Sequence, residues 1–498
     1  MSRRSFFNIG EEGRLLLNFI NGQSVSLTSN SVFDVYEPRS GRVLTQTEKG
    51  SKDDVYIAVA CATAAQKKWG ALPWLARGSV LSKAAELIKV HCEELALWES
   101  KDNGKPIKEA EADVLSCAET LQYYSGINSG LVGQFFPMAG NRYAYTTREP
   151  IGVVGCVGAW NYPIQTCTWK AAPAIACGNA VVYKPSPLAP VTAVLLGHLL
   201  KEAGLPDGVF NVIQGDAETG RHLVEHPEVK KVSFTGSTAT GKDIMQRCAM
   251  RNVKPVTLEL GGKSSLIICE DACIDSAVAG AMAANFYSQG QVCSNASKVL
   301  IHASKLQEFT TKVVDLTRNM SVGDPLSRST TVGAHISREH RDRIKNYIDT
   351  AQLQGAIKLC GGEHVEVPEL ENGYYLSPCV LSNINDSMDV YKEEIFGSVM
   401  LLIPFLSDEE AVIMANDTSM GLAAGVFTKD LSKGYNISKQ LNAGTVYVNT
   451  YNDTSPFVPF GGIGDSGFGR ENGTAAVDYY TTIKSVFVNT TELENPFM

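Results

Sequence analysis

The chain has 498 residues, of which 44% are hydrophobic and 19% are charged, and its formal net charge is -9. This composition is typical of globular proteins and argues against a disordered or fibrous one. The acidic balance without a basic block argues against nucleic acid as a partner, because phosphate binding requires clustered Lys and Arg. The length predicts roughly three domains, and no run of about 18 apolar residues predicts a membrane span.

The cysteine pattern indicates a reducing compartment. Twelve cysteines are spread along the chain without a Cys-x-x-Cys pair or a histidine cluster at zinc-site spacing, so we predict no metal site and a cytoplasmic location. Near the N-terminus, Arg3 and Arg4 precede a short apolar stretch that Glu11 interrupts. This stretch is too short for a secretory signal, while a short mitochondrial presequence stays open.

The first part of the chain changes from strand-like to helical periodicity. Residues 14–41 read as short strands, whereas 53–69, 77–100 and 107–125 place apolar residues at helical spacing. We predict one helix over each of these three ranges, packed on a sheet. Residues 133–151 alternate aromatics with threonines, which predicts strands that project from the main body.

Buried strands then alternate with helices. Apolar runs at 151–159, 180–184, 209–213 and 231–234 are each followed by a turn and a helical segment. This alternation predicts a doubly wound parallel sheet. Ligands of such sheets bind beyond the carboxyl ends of the strands.

Asn161 stands at one of these strand ends. It follows the run 151–159 and precedes Pro163 at a predicted helix start. A ligand contact fits this position, but an amide there is also a common helix cap, and the spacing alone favours the cap.

Two motifs suggest other enzyme classes and are rejected. The turn at 236–242 nearly matches a P-loop, but Asp243 stands where a Ser or Thr should hold magnesium. A strand-to-helix turn whose N–H groups face a pyrophosphate is the better interpretation. Gly-Asp-Ser-Gly at 464–467 is typical of trypsin-like proteases, which would require two β-barrels and secretory disulfides.

A cysteine and a glutamate are the candidates for chemistry. Cys293 follows a Gln-Gly-Gln turn at 289–291, which predicts a thiol on a loop. Glu259 lies in an apolar run that ends at two glycines, a setting that raises a carboxyl pKa toward the value a general base needs. Each observation is weak alone, because most cysteines are buried and inert.

Together these segments resemble the aldehyde dehydrogenases. The motif Leu-Glu-Leu-Gly-Gly-Lys stands at 258–263 and Gly-Gln-Val-Cys at 290–293, and the similarity runs from residue 30 to residue 485. The resemblance implies an α/β fold with a Rossmann-like parallel sheet for NAD, a second α/β catalytic domain and a small β oligomerisation element. It places the NAD-binding domain at 1–132 and 151–260, the catalytic domain at 261–465 and the oligomerisation element at 133–150 and 466–498.

The resemblance also implies the residue roles. Cys293 is the expected nucleophile, Glu259 the base that activates water, and Asn161 an oxyanion donor; the aldehyde becomes a carboxylic acid through a thiohemiacetal and a thioester. The expected NAD contacts, with Lys184 reaching the adenosine ribose, are Trp160, Lys184, Gly236, Ser237, Thr238, Ala239, Thr240, Glu394 and Phe396. The expected aldehyde contacts are Tyr162, Trp169, Tyr287, Phe457 and Phe460.

One departure concerns the choice of cofactor. The loop at 184–187 reads Lys-Pro-Ser-Pro, without the acid that many NAD-dependent members carry to bond the ribose hydroxyls and repel a 2′-phosphate. We predict NAD, because the most similar branch of the family shares this proline, and NADP stays open.

The aromatic side chains suggest the substrate. If several of them converge, they suit a quaternary ammonium group through cation–π attraction. The motifs resemble most the branch that oxidises trimethylammonium aldehydes such as 4-trimethylaminobutyraldehyde or betaine aldehyde. A broad aliphatic or aminoaldehyde dehydrogenase, an acyl-transferring or esterase-like enzyme and a non-catalytic structural relative stay open. A homotetramer or homodimer is expected, with a strand at 481–488 on an edge.

Overall fold

The computed structural model describes residues 15–27, 31–493, 495 and 497. The elements up to residue 150 are β1 (Leu15–Leu16), β2 (Asn18–Ile20), β3 (Gln23–Val25), β4 (Val32–Glu37), β5 (Arg42–Glu48), α1 (Lys52–Gly70), α2 (Trp74–Val90), α3 (Cys92–Asn103), α4 (Ile107–Ser125), β6 (Phe135–Met138) and β7 (Arg142–Pro150). Those up to residue 290 are β8 (Val153–Val157), α5 (Pro163–Ala176), β9 (Ala180–Lys184), α6 (Val191–Glu202), β10 (Phe210–Val212), α7 (Ala217–Glu225), β11 (Val229–Thr235), α8 (Thr238–Arg251), β12 (Val256–Glu259), β13 (Ser265–Ile268) and α9 (Ile274–Phe286). Those that follow are β14 (Lys298–His302), α10 (Leu306–Arg318), α11 (Arg338–Leu353), β15 (Ile357–Cys360), β16 (Cys379–Ser382), α12 (Asp389–Lys392), β17 (Val399–Phe405), α13 (Asp408–Asn416), β18 (Met420–Gly421), β19 (Ala423–Phe427), α14 (Leu431–Ser438), β20 (Thr445–Val448), β21 (Ile463–Gly464), β22 (Gly467–Phe468), α15 (Val477–Tyr480) and β23 (Thr481–Asn489).

The first large sheet has eight strands in the order β22-β12-β11-β8-β9-β10-β2-β3. Its five central strands are parallel, and β22, β2 and β3 add antiparallel edges. Helices α2 to α6 bury apolar side chains on one face, and α1, α7 and α8 on the other. The predicted doubly wound sheet is therefore confirmed, and continuous apolar runs form its centre because both faces are covered.

The second large sheet has seven strands in the order β15-β16-β17-β14-β13-β19-β20, all parallel except β15. Helices α9 and α10 pack on one face, and α11, α13 and α14 on the other. The loop that carries Cys293 runs from the end of α9, which packs on this sheet, to the start of β14, which is one of its strands. Both ends of the loop are therefore attached to the sheet.

A smaller sheet has the order β23-β7-β6, in which Thr481 pairs with Pro150 and Asn489 with Arg142. Strand β23 lies at its edge, with Ile483 and Phe487 exposed. Strand β22, inside the range 466–498 expected for the oligomerisation element, instead pairs with β12 in the eight-stranded sheet. The division into domains stays a prediction.

Two predicted elements are wrong in extent. The helix expected over 77–100 is two helices, α2 and α3, which meet at His91, where φ is -100° and ψ is 17°. Because apolar residues continue at helical spacing across His91, the sequence pattern does not reveal the break between the two helices. The apolar residues at 374–381 also predict a strand, but the structure has only β16 there, at 379–382, because Tyr374 bonds through its backbone to Pro38 and His335 in loops.

Two expectations concern membranes and targeting. Within the described residues, the structure contains no helix that is both long and apolar enough to span a bilayer. The N-terminal segment considered for targeting, which includes Arg3 and Arg4, lies outside the described residues.

Candidate active site

The Cys293 loop begins with three consecutive residues in the left-handed region. Ser288, Gln289 and Gly290 have φ values of 49°, 52° and 70°. The Gln289 side-chain amide holds this turn by donating to two backbone carbonyls, at 2.6 and 2.9 Å. The Gln-Gly-Gln segment thus has a structural task, which is to place the following cysteine on a hydrogen-bonded loop.

Two cavities meet at the Cys293 thiol. The larger, of about 880 Å³, runs along the carboxyl ends of β8, β9 and β11. The smaller, of about 340 Å³, is lined by α4, α5 and the loops around residues 292 and 452. Cys293, Glu259 and Asn161 line both cavities. The structure therefore brings together the three residues expected to carry the chemistry.

The surroundings of the Cys293 thiol disfavour its ionised form. Burial, together with the nearby charges of Glu394 and Glu259, raises the pKa of Cys293 to about 12, although backbone N–H groups act in the opposite direction. The thiolate is the nucleophile. A base or a positive charge must therefore approach the sulfur when the thiol reacts.

Asn161 is buried at the start of α5 but does not cap it. Its side-chain NH2 group donates to the Gln291 carbonyl at 2.8 Å, and its backbone carbonyl accepts from the Asn103 side chain at 2.7 Å. A side-chain amide has two N–H donors, so one remains for a ligand in the cavities. The helix-cap interpretation is wrong, because the amide turns toward the Cys293 loop instead.

Glu259 is a buried carboxyl with an unused oxygen. Within the described residues its Oε2 has no hydrogen-bond partner, and its Oε1 lies against Gly461, where a Cβ would come within 2.8 Å. Burial raises the pKa of Glu259 well above its usual value, and the charge of Glu471 adds to this, against Lys170 and Arg470. Both features suit a group that exchanges a proton with a ligand or water.

The larger cavity contains eight of the nine expected cofactor contacts. They are Trp160, Lys184, Gly236, Ser237, Ala239, Thr240, Glu394 and Phe396. The ninth, Thr238, is not part of the cavity wall; its hydroxyl donates to the Asp465 carbonyl at 3.2 Å. Asp216 and His340, which the sequence did not single out, also line the cavity.

The groups in this cavity fit a dinucleotide. Helix α8 begins there, capped by Ser237, whose hydroxyl accepts from the Thr240 N–H at 3.3 Å, and helix N-termini attract anions. Lys184 is buried, which lowers its pKa to about 8, and its ammonium donates to the Pro185 carbonyl at 3.0 Å. Glu394 accepts from the Gly262 N–H at 3.0 Å.

Three ring side chains in the wall of this cavity contact one another. Trp160 meets Phe396 and His340 edge to face, each at a centroid distance of 5.2 Å. Phe396 has a φ of 59°, and the His340 Nε2 lies 2.8 Å from its carbonyl oxygen. The contact helps to hold a strained backbone. The sequence around residue 340 shows only helical spacing, so it does not predict that His340 contacts Phe396.

The smaller cavity contains four of the five aromatic residues expected to contact the aldehyde. They are Tyr162, Trp169, Tyr287 and Phe460. Trp169 and Phe460 meet edge to face at 5.6 Å. The fifth, Phe457, is elsewhere: it is 69% exposed and packs against Tyr123 at 5.0 Å. The local motif placed Phe457 near Phe460, but the chain turns it outward.

Two buried ion pairs border the smaller cavity and were missed. Asp113 pairs with Lys105, and Glu471 with Lys170 at 2.6 Å. The Lys105 ammonium also lies 3.9 Å from the ring centroid of Tyr162. No motif marks Asp113, which occupies an ordinary position in α4, and only packing turns it inward.

The rejected motifs have structural roles. Lys242 of the near-P-loop pairs with Asp465 at 3.1 Å. Ser466 is buried, and its hydroxyl donates to the Gly261 carbonyl at 2.7 Å and accepts from the Gly421 N–H at 3.0 Å. Across residues 15–27 and 31–493 no three His, Cys, Asp or Glu side chains are grouped as metal ligands would be.

Comparisons with known proteins agree over nearly the whole chain. A model described as the aldehyde dehydrogenase family matches residues 25–486. The chain is 47% identical over 485 residues to 4-trimethylaminobutyraldehyde dehydrogenase A of Danio rerio, covering 97% of this chain and 95% of that protein. It is 45% identical over 484 residues to 4-trimethylaminobutyraldehyde dehydrogenase of Homo sapiens, covering 97% and 98%.

Solved structures give the same fold. An NAD+ complex of aldehyde dehydrogenase from Bacillus cereus superposes with a TM-score of 0.93 at 39% identity, covering 96% of this chain and 97% of that one. Betaine aldehyde dehydrogenase from Staphylococcus aureus in complex with NAD+ superposes with a TM-score of 0.94 at 33% identity, covering 97% of both chains.

Proposed function

Because this chain belongs to the aldehyde dehydrogenase family, we propose that it oxidises 4-trimethylaminobutyraldehyde, or a similar trimethylammonium aldehyde such as betaine aldehyde, to the carboxylic acid with NAD. The observation that carries the proposal is the shared position of Cys293, Glu259 and Asn161 on the walls of both cavities. One thiol can then face an aldehyde from the smaller cavity and a dinucleotide from the larger one.

In the proposed mechanism the Cys293 sulfur attacks the carbonyl carbon of the aldehyde, and the thiol proton passes to a base. The free side-chain N–H of Asn161 donates to the aldehyde oxygen, which becomes negative during the attack. Such donors stabilise the transition state electrostatically. Loss of hydride from the same carbon leaves a thioester on Cys293. Glu259 then takes a proton from water, which attacks the thioester and releases the acid.

The cofactor enters this scheme as the hydride acceptor. NAD, when bound, supplies the oxidising power. The first turn of α8 would hold its pyrophosphate, Lys184 its adenosine ribose, and Glu394 the hydroxyls of its nicotinamide ribose. Trp160 and Phe396 would restrict the position of its reactive ring beside Cys293.

The smaller cavity suits a cation. Aromatic faces attract quaternary ammonium groups by roughly 0.5–2 kcal/mol per ring, and Tyr162, Trp169, Tyr287 and Phe460 line this cavity. The carboxylates of Asp113 and Glu471 border it as well: Asp113 pairs with Lys105, which also lies 3.8 Å from Glu99, and Glu471 pairs with Lys170. A trimethylammonium group makes no hydrogen bonds, so rings and distributed negative charge are the partners it needs. The 45–47% identity to 4-trimethylaminobutyraldehyde dehydrogenases favours the four-carbon substrate.

The test compares 4-trimethylaminobutyraldehyde with its neutral isostere, 5,5-dimethylhexanal, in which carbon replaces the nitrogen. NADH formation is followed with the wild type and with Cys293→Ala. We expect kcat/KM to be at least about tenfold higher for the cation and no turnover in the variant. Equal kcat/KM values would refute the cation specificity, whereas NADH formation by Cys293→Ala would refute the mechanism.

Two features of the assembly and location stay proposals. We infer a homotetramer or homodimer, because Phe135, Ile483 and Phe487 are exposed on the β23-β7-β6 sheet and apolar edge strands favour pairing. Light scattering on the purified protein would refute this by giving a monomer mass. We also propose a cytoplasmic location, which the free cysteines favour, and cell fractionation would test it.

A further inference from the structure

A carboxylate reaches the larger cavity from an element that carries no cofactor motif. The loop at 184–187 has no acid, but Asp216, at the start of α7, lines the same cavity. The two elements touch, because the Lys184 stem lies against Gly220 in the first turn of α7, where a Cβ would be 3.5 Å from its Cδ. The Asp216 charge also acts on Lys184, whose pKa it raises against the lowering by burial.

Asp216 is held in place with part of its carboxylate free. Its Oδ1 accepts from the Glu218 N–H at 2.9 Å, its Oδ2 pairs with Lys49 at 2.9 Å, and the side chain is 47% exposed. Burial opposes ionisation, but bonds from Lys49 and the Glu218 N–H outweigh it and keep the pKa of Asp216 below its usual value. Each carboxylate oxygen accepts two hydrogen bonds, so acceptor sites remain for a hydroxyl in the cavity.

We propose that Asp216 replaces the acid missing from the 184–187 loop and makes the enzyme selective for NAD, by accepting hydrogen bonds from the adenosine ribose hydroxyls and repelling the 2′-phosphate of NADP. This inference rests on the proposed function, in which Lys184 lies at the dinucleotide. A ribose-facing carboxylate discriminates between these cofactors in dinucleotide-binding sheets generally. Asp243 also lines the cavity, but Arg247 engages it at 2.8 Å.

The test is Asp216→Asn, with Glu218→Gln as the matched control. Asparagine caps helices as well as aspartate does, so α7 keeps its start. Glu218 binds the same Lys49, at 3.0 Å, but is not part of the cavity wall. Dissociation constants of NADH and NADPH are measured by fluorescence titration without aldehyde.

In Asp216→Asn we expect the preference for NADH over NADPH to fall at least about tenfold, and in Glu218→Gln less than about twofold. An unchanged preference in Asp216→Asn, or an equal shift in both variants, overturns the inference. A wild type that binds neither dinucleotide overturns the NAD function as well. A wild type that binds NADH but oxidises no aldehyde would refute the proposed function alone.

Discussion

Replacing Glu259 by Gln separates the two halves of the proposed reaction. The amide keeps the size of the carboxyl but cannot take a proton from water. Attack by Cys293 and loss of hydride precede the step that needs this base. The thioester should therefore still form in Glu259→Gln, but its hydrolysis should be slow.

The structure suggests how slow. General-base catalysis contributes about 10²–10⁴-fold, or roughly 2.7–5.5 kcal/mol of barrier. Within the described residues the Glu259 Oε2 has no hydrogen-bond partner, and the neighbouring Glu471 is bound to Lys170 at 2.6 Å, so it is poorly placed to substitute. We therefore expect the steady-state kcat to fall by about 10³-fold, in the middle of this range.

Rapid mixing with aldehyde and NAD measures both steps in one trace. The variant should give a burst of NADH stoichiometric with the subunits, followed by a slow steady state, as expected when an acyl-enzyme accumulates. The wild-type steady-state rate should rise with pH, because the base must be ionised and burial raises the pKa of Glu259. The variant should lose this rise.

Two results would refute the reasoning. Loss of the burst together with the steady state would mean that Glu259 acts before hydride transfer, on the thiol itself. An unchanged steady-state rate would mean that another group activates water. Cys293→Ala, which should show neither phase, controls for NADH formed without the thiol.

Two further predictions concern the oxyanion donor and a half-buried acid. Asn161→Ala should lower kcat/KM by about 10²–10³-fold through loss of one donor, with the NADH dissociation constant unchanged; a lost affinity for NADH would mean that the cavity itself has collapsed. Burial raises the pKa of Glu109 from 4.5 to about 8, although Lys105 and the Ser288 N–H act in the opposite direction. Between these two pH values the folded protein keeps a proton that the unfolded chain has released. The stability of the folded protein therefore declines as pH rises through this range. Glu109→Gln should lack this decline, so its Tm relative to wild type should increase from pH 4.5 to 8, and parallel Tm profiles would contradict the assignment.

The sequence by itself determined most of the elements and the family. Helix 107–125 and the buried strands of the first sheet follow from spacing, because periodicity records which face of an element is covered. The family assignment follows from the motifs around Glu259 and Cys293 and is confirmed. The catalytic roles of these residues stay predictions, since they need kinetics.

Only the tertiary structure decided which side chains share a cavity. Asn161 reads as a helix cap in the sequence, but its amide bonds the carbonyl of Gln291, 130 residues away. Phe457 and Phe460 are neighbours in the sequence, yet only Phe460 lines the smaller cavity. Asp113 lies inside α4 and Asp216 caps the start of α7, and neither belongs to a motif. A cavity wall is built from contacts between distant segments, and local spacing holds no record of which segments those are.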